Sequence, residues 1–114
     1  MKGRIGDKQR LEHILAALNE ATLFVAGMEF IDFEADKRTL FACVRAIEII
    51  GEAARHVTDE TKELHPQVPW QKMTSLRNFV IHQYFDVENE VLWEVLTHFL
   101  PVARPSLEAA LQAQ

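Results

Sequence analysis

The stretch Met73-Thr74-Ser75-Leu76-Arg77-Asn78-Phe79-Val80-Ile81-His82-Gln83-Tyr84-Phe85 sets a permanent cation, a titratable imidazole and a phenol within eight positions. Arginine presents a rigid fork of donors that matches phosphate oxygens. A histidine titrating near neutrality can give or take a proton at cellular pH. The tyrosine hydroxyl can donate, accept or carry a modification. The apolar spacers Phe79, Val80 and Ile81 tie the segment to a core, so the polar residues between them need partners, water or a substrate. The chemistry on offer is phosphate binding with proton transfer. Spacing alone leaves a structural reading open, in which these residues cap carbonyls and pair with Glu48 or Glu52 across an interface.

Helical geometry qualifies the motif. Seven positions apart, Arg77 and Tyr84 lie about 20° from one another around an ideal α-helix, whereas Arg77 and His82 lie about 140° apart. Arg77 and His82 can therefore converge only where the helix ends or distorts near His82, or where two motifs meet across a symmetry axis. Asn78 stands four residues before His82, where its amide can orient the imidazole.

The elements that must position these groups are helical. Leu11, Ile14, Leu15, Leu18, Thr22 and Val25 recur at three- and four-residue steps, predicting a first helix from an Asp7 N-cap to about Ala26 and stopped by Gly27. Arg10 and His13 fall outside that stripe. Met28–Phe33 is expected to be a connector whose aromatics cap the bundle. A second helix, about Asp36–Val57, is apolar around most of its circumference, which predicts burial on several sides. Its polar residues Arg38, Arg45, Glu48, Glu52, Arg55 and His56 share one sector of roughly 100°. That sector is either a solvated strip of charge pairs or a polar wall facing a cleft or a subunit interface.

Thr58 and Asp59 can open a short helical turn. His65-Pro66-Gln67-Val68-Pro69 reads as extended, since each proline disfavours helix before it. Trp70 anchors that loop and a third helix follows over about Gln71–Ile81, with Phe85-Asp86-Val87 as the next junction. A fourth helix from near Glu88 carries Val91, Leu92, Val95, Leu96, Phe99 and Leu100, and Pro101 and Pro105 are expected to bend or divide it. No stretch alternates at period two over strand length. The fold class is all-α, an antiparallel bundle of four to five helices forming a single domain over residues 1–114, with part of the second helix buried in a dimer.

Composition narrows the function classes. A formal net charge of −5 argues against a broadly basic nucleic-acid binder, so any positive charge that meets phosphate must be local, in a cleft. The single cysteine, Cys43, rules out an internal disulfide framework and reads as a buried small hydrophobe. The absence of a signal-length or membrane-length apolar run leads to the expectation of a cytoplasmic protein. Trp70 and Trp93 read as core. His13, His65 and His98 have no partner at ligand spacing and read as surface or capping residues. Glu48, Glu52 and His56 follow i, i+4, i+8, but with no second ligand set on another helix a metal site is not expected.

Four blocks in order resemble one family. Arg77-Asn78-Phe79-Val80-Ile81-His82-Gln83-Tyr84 resembles the R-x4-H-x-Y signature of HepT-like toxins, a branch of the HEPN superfamily. Ala46-Ile47-Glu48-Ile49-Ile50-Gly51-Glu52-Ala53-Ala54 looks like that family's central-helix segment. Pro66-Gln67-Val68-Pro69-Trp70 looks like its P-x-x-P-W turn, and Val91-Leu92-Trp93 continues in register. Gln83 stands where an acidic residue is common and Leu76 where Met is frequent; neither touches the Arg, His or Tyr.

The resemblance covers nearly the whole chain and implies an all-α HEPN-like dimer acting as a metal-independent endoribonuclease without a cofactor. It further implies the toxin of a type VII-like toxin–antitoxin pair, whose partner is a minimal nucleotidyltransferase antitoxin that transfers AMP to Tyr84. Higher assembly with that antitoxin is left open. In this scheme Arg77 and His82 are catalytic and Asn78, Glu48 and Glu52 support them. The competing class is a non-catalytic nucleotide-binding or interaction module partnering a nucleotidyltransferase.

Overall fold

Gly27 lies just past the first helix, α1 (Asp7–Val25), with φ of 78°, a left-handed conformation that glycine adopts without the usual side-chain penalty. The structure is a computed structural model that describes residues 6–82 and 88–114, with side chains described through residue 78 and again from residue 88. Along α1 the expected stripe is buried: Leu11, Ile14 and Leu18 are fully enclosed, with Leu15 and Val25 nearly so. The helix starts differently from expectation. Gly6 is the N-cap, its amide donating to the Gln9 side chain at 3.2 Å, and Asp7 is the first helical residue. Asp7 directs its carboxylate to Thr58 and Thr61 instead of capping its own helix.

The connector after Gly27 is itself partly helical. α2 (Phe30–Ala35) opens with the Asp32 carboxylate accepting from the Glu29 amide at 2.9 Å. Its aromatics do close the bundle, for Phe33 is fully buried and packs on Trp93 at a centroid distance of 5.1 Å, with Phe30 at 6.1 Å. A six-residue helix offers too few periodic positions to be legible in sequence.

α3 (Lys37–His56) begins at Asp36, whose carboxylate accepts from the Thr39 amide and hydroxyl. It is the central element, with α1 packed on one side and α5 (Trp70–His82) on the other. Cys43, Ile47, Ile50 and Ala54 are fully buried on it, while Phe41 stays largely exposed. The expected short helical turn is α4 (Asp59–Leu64), with Thr58 as its N-cap. The following loop is anchored as its proline pattern suggests: the Trp70 indole N–H donates to the His65 carbonyl at 2.9 Å and the ring is buried.

The last segment corrects an expectation. Pro101 and Pro105 do not divide it: α6 (Asn89–Glu94), a π-helical turn (Val95–Phe99) and α7 (Leu100–Gln112) run on without a break. A proline ring collides with the carbonyl four residues earlier and removes one donor, and the wider π turn just before Pro101 opens the space this requires. Pro105 sits within α7 on an exposed position, while Ala103, Leu107 and Ala110 hold that helix against α1. Tertiary packing outweighs the local defect there. The fold is all-α, as the periodicities predict, and among the described residues there is no strand. Among the described residues no helix is long and apolar enough to cross a membrane.

Candidate active site: a charged cleft between α1, α3 and α5

α3 carries a glycine in its apolar interior, where a helix loses roughly 1 kcal/mol relative to alanine. The contact there gives the reason. A β-carbon on Gly51 would collide with the Arg77 β-carbon and stand 3.0 Å from the Arg77 backbone nitrogen. Gly51 thus lets α5 approach α3 at the position of Arg77. The next residue of α3, Glu52, then meets the guanidinium: Arg77 Nε lies 2.8 Å from Glu52 Oε1. Oε1 is shielded from water and accepts no well-directed hydrogen bond among the described residues, so the contact is a close ion pair and not an aligned hydrogen bond.

Glu52 is the hub of a small cationic ring. Its other oxygen meets His56 Nε2 at 2.9 Å, and Arg55 lies at 3.8 Å. The hydrogen bond from His56 holds the Glu52 carboxyl below its usual range; burial opposes this, and the charges of Arg77, His56 and Arg55 add to the lowering. Glu52 is therefore ionised at neutral pH and orients Arg77 through Nε, which leaves the two terminal guanidinium nitrogens for another anion. The pair is partly exposed and contributes little to stability, on the order of 1 kcal/mol or less. Its value is orientation.

These groups line a cleft of about 260 Å³ bounded by Arg10 and His13 on α1, Arg45, Glu48, Ile49, Glu52 and Ala53 on α3, and Arg77 on α5. Both readings of the α3 polar sector hold in part: Arg45, Glu48 and Glu52 line the cleft, whereas Arg38, Arg55 and His56 are exposed outside it. Arg45–Glu48 at 3.8 Å and the Glu52–Arg55 and Glu52–His56 contacts also make it a strip of charge pairs. Arg10 and His13 are the lining residues that the sequence did not single out. The available signal was their i, i+3 spacing just beside the buried Leu11–Ile14 stripe. His13 is exposed, as expected, yet it belongs to the cleft wall.

The remaining site residues are distributed unevenly. Asn78 is exposed on α5 beside Arg77 and makes no side-chain hydrogen bond to Glu48 or Glu52 among the described residues. α5 is helical at both Arg77 and His82, and the helix end expected near His82 lies outside the described residues. The His82 side chain and all of Tyr84 lie outside the described residues. Trp93, expected in the core, is only partly buried at its edge. Among the described residues no three His, Cys, Asp or Glu side chains converge to hold a metal. Burial pushes the Cys43 thiol up to about 11, which removes it as a nucleophile near neutral pH.

Comparison with known proteins places the chain in a family. Residues 14–111 match the family model described as "Ribonuclease HepT-like". A Thermococcus cleftensis protein named as a probable ribonuclease HepT is 40% identical over 101 residues, covering 89% of this chain and 92% of its own length. A Methanocaldococcus jannaschii protein named as a candidate RNase is 35% identical, covering 89% of this chain and 93% of its own. Another from Caldanaerobacter subterraneus, similarly named, is 36% identical, with 91% and 93% covered. No solved structure gives a significant match.

Proposed function

The chain belongs to the HepT-like ribonuclease family, and we propose that it is a metal-independent endoribonuclease in which Arg77 binds the scissile phosphate and His82 moves the proton. The observation that supports this reading is Arg77 itself, seated over Gly51, steered through Nε by Glu52 and lining a cleft. RNA carries its own nucleophile. The 2′-hydroxyl loses its proton to His82 and attacks the adjacent phosphorus, and the P–O5′ bond breaks. A proton returned to the departing 5′-oxygen leaves a 2′,3′-cyclic phosphate and a 5′-hydroxyl. Arg77 stabilises the charge that gathers on the phosphoryl oxygens in the transition state. Asn78 orients His82 or contacts phosphate, and Glu48 with Glu52 orders the arginines. With Arg77 and His82 about 140° apart around α5, two subunits meeting along this face bring their motifs into one cleft.

In the same reading the protein is the toxin of a toxin–antitoxin pair. A minimal nucleotidyltransferase antitoxin transfers AMP from ATP to the Tyr84 hydroxyl, with pyrophosphate leaving. The adduct places bulk and negative charge where RNA phosphate must sit, which blocks binding by repulsion. Replacing His82 by Ala tests the enzymatic half: RNA cleavage and growth arrest are lost if His82 is the catalyst, and undiminished cleavage overturns the assignment. Intact mass after co-expression with a minimal nucleotidyltransferase antitoxin tests the regulatory half. An added mass of one AMP that disappears in Tyr84→Phe is the expected result, and no adduct on the unaltered protein contradicts it.

A further inference from the structure

Arg77 occupies one side of the cleft, and the opposite wall carries cations that a single phosphate at Arg77 does not use. Arg10 and His13 project from successive turns of α1 into the same space, with Arg45 on α3. Three guanidiniums therefore face two carboxylates there, on a chain whose formal net charge is −5. The carboxylates are already engaged. Glu52 is taken by Arg77, His56 and Arg55, and Glu48 by Arg45 at 3.8 Å.

The acidic residue one turn before Arg10 on its own helix is Asp7, and its oxygens are committed to the Thr58 amide at 3.1 Å, the Thr58 hydroxyl at 2.6 Å and the Thr61 hydroxyl. Among the described residues Arg10 makes no ion pair. Arg10, half-buried beside two further arginines whose carboxylates are already shared, leaves the cleft with an unbalanced positive charge that suits an anion.

We infer that Arg10, supported by His13 and Arg45, binds the phosphodiester next to the scissile one, so that the cleft reads two consecutive phosphates of single-stranded RNA. The inference rests on the ribonuclease reading for the identity of its ligand, and it adds a subsite on α1 that the Arg-His-Tyr motif does not contain. Each phosphate contact on a single strand releases counterions and contributes about 0.7 to the salt dependence of log affinity. Arg10 then supplies about one such contact, and its loss matters most at low salt.

The experiment uses the full chain and a fluorescein-labelled 2′-O-methyl oligoribonucleotide, which cannot be cleaved, titrated by anisotropy across a salt series. Arg10→Gln is expected to weaken binding about five-fold near 0.1 M salt and to flatten the salt slope by about 0.7. Arg10→Lys is expected to recover most of the slope. Arg45→Gln provides a second removal of charge from the same wall, and Arg38→Gln, exposed on α3 outside the cleft, controls for bulk charge. An unchanged slope in both Arg10→Gln and Arg45→Gln overturns the subsite, as does an equal loss in Arg38→Gln. Arg10-dependent binding by a protein that cleaves no RNA leaves the subsite standing and removes the ribonuclease reading. No binding by the unaltered protein removes both.

Discussion

Leu76 and Arg77 are neighbours on α5, turned about 100° from each other, and they open onto two different hollows. Arg77 faces the 260 Å³ cleft described above. Leu76 faces a groove of about 600 Å³ formed with Lys72, Ser75, Glu90, Val91, Glu94, Val95 and Phe99, whose exposed wall is almost wholly apolar. The larger hollow offers hydrophobic contact and little chemistry. The smaller one gathers cations, carboxylates and a close helix crossing that sets an arginine in a defined pose. On the proposed reading, size does not locate the site. What locates it is a charged side chain held by a specific partner where the backbone has given up a side chain to let it approach.

That contrast can be broken most sharply by exchanging its two sides. Arg77→Ala is expected to lower the rate of RNA cleavage by about 10²–10³-fold, the scale of losing a group that stabilises developing charge, while changing stability by less than about 1 kcal/mol. Leu76→Ala should do the reverse. It removes a partly buried side chain packed on the core, for a loss of about 1–2 kcal/mol in urea unfolding, with cleavage by the folded fraction little changed. Equal losses of activity in the two variants would dissolve the distinction.

Gly51→Ala probes how the arginine is seated. The new methyl gains up to about 1 kcal/mol of helix propensity, but it must displace the Arg77 β-carbon and backbone, an overpacking that costs about 1–3 kcal/mol. A net destabilisation of about 1–2 kcal/mol, with cleavage reduced beyond that of Leu76→Ala, is expected. A stabilised and fully active variant would show that the crossing does not position Arg77.

The smallest effect concerns the α1 wall. Burial alone would raise the Asp7 carboxyl, but hydrogen bonds from the Thr58 hydroxyl, the Thr61 hydroxyl and the Thr58 amide, with the nearby Arg10 charge, outweigh it and hold the group below its ordinary 3.8. A group depressed in the folded state contributes stability above its unfolded value, and that contribution is lost as pH falls through the folded one. Asp7→Asn should therefore weaken the protein at neutral pH, by about 1 kcal/mol, and flatten the acid side of its stability profile below about pH 4. A profile parallel to that of the unaltered protein would contradict the role of Asp7 in anchoring α1 to Thr58 and Thr61.

Much of this frame is legible in the chain. The three- and four-residue steps give α1, Asp36 caps α3 where it should, and Gly27 ends α1 in the left-handed conformation. The polar sector of α3 already contains Glu48 and Glu52. What escapes local reading is every feature that depends on distant residues. Asp7 reads as a cap until Thr58 and Thr61 compete for it from across the fold. Pro101 reads as a break until packing against α1 keeps the helix together and a π turn absorbs the ring. Gly51 is visible only as an unfavourable residue in a helix, and the reason for it lies on α5. Arg10 and His13 look like ordinary surface residues because nothing within α1 says which wall they face. The proposed pairing of Arg77 with His82 rests on the sequence motif.

The most direct test of the central claim is where RNA touches the protein. With a non-cleavable 2′-O-methyl oligoribonucleotide added to labelled protein, NMR amide shifts should move at Ile49, Ala53 and Arg77, on the cleft, and stay in place at Val91, Val95 and Phe99, on the groove. Shifts confined to the groove residues would contradict the account.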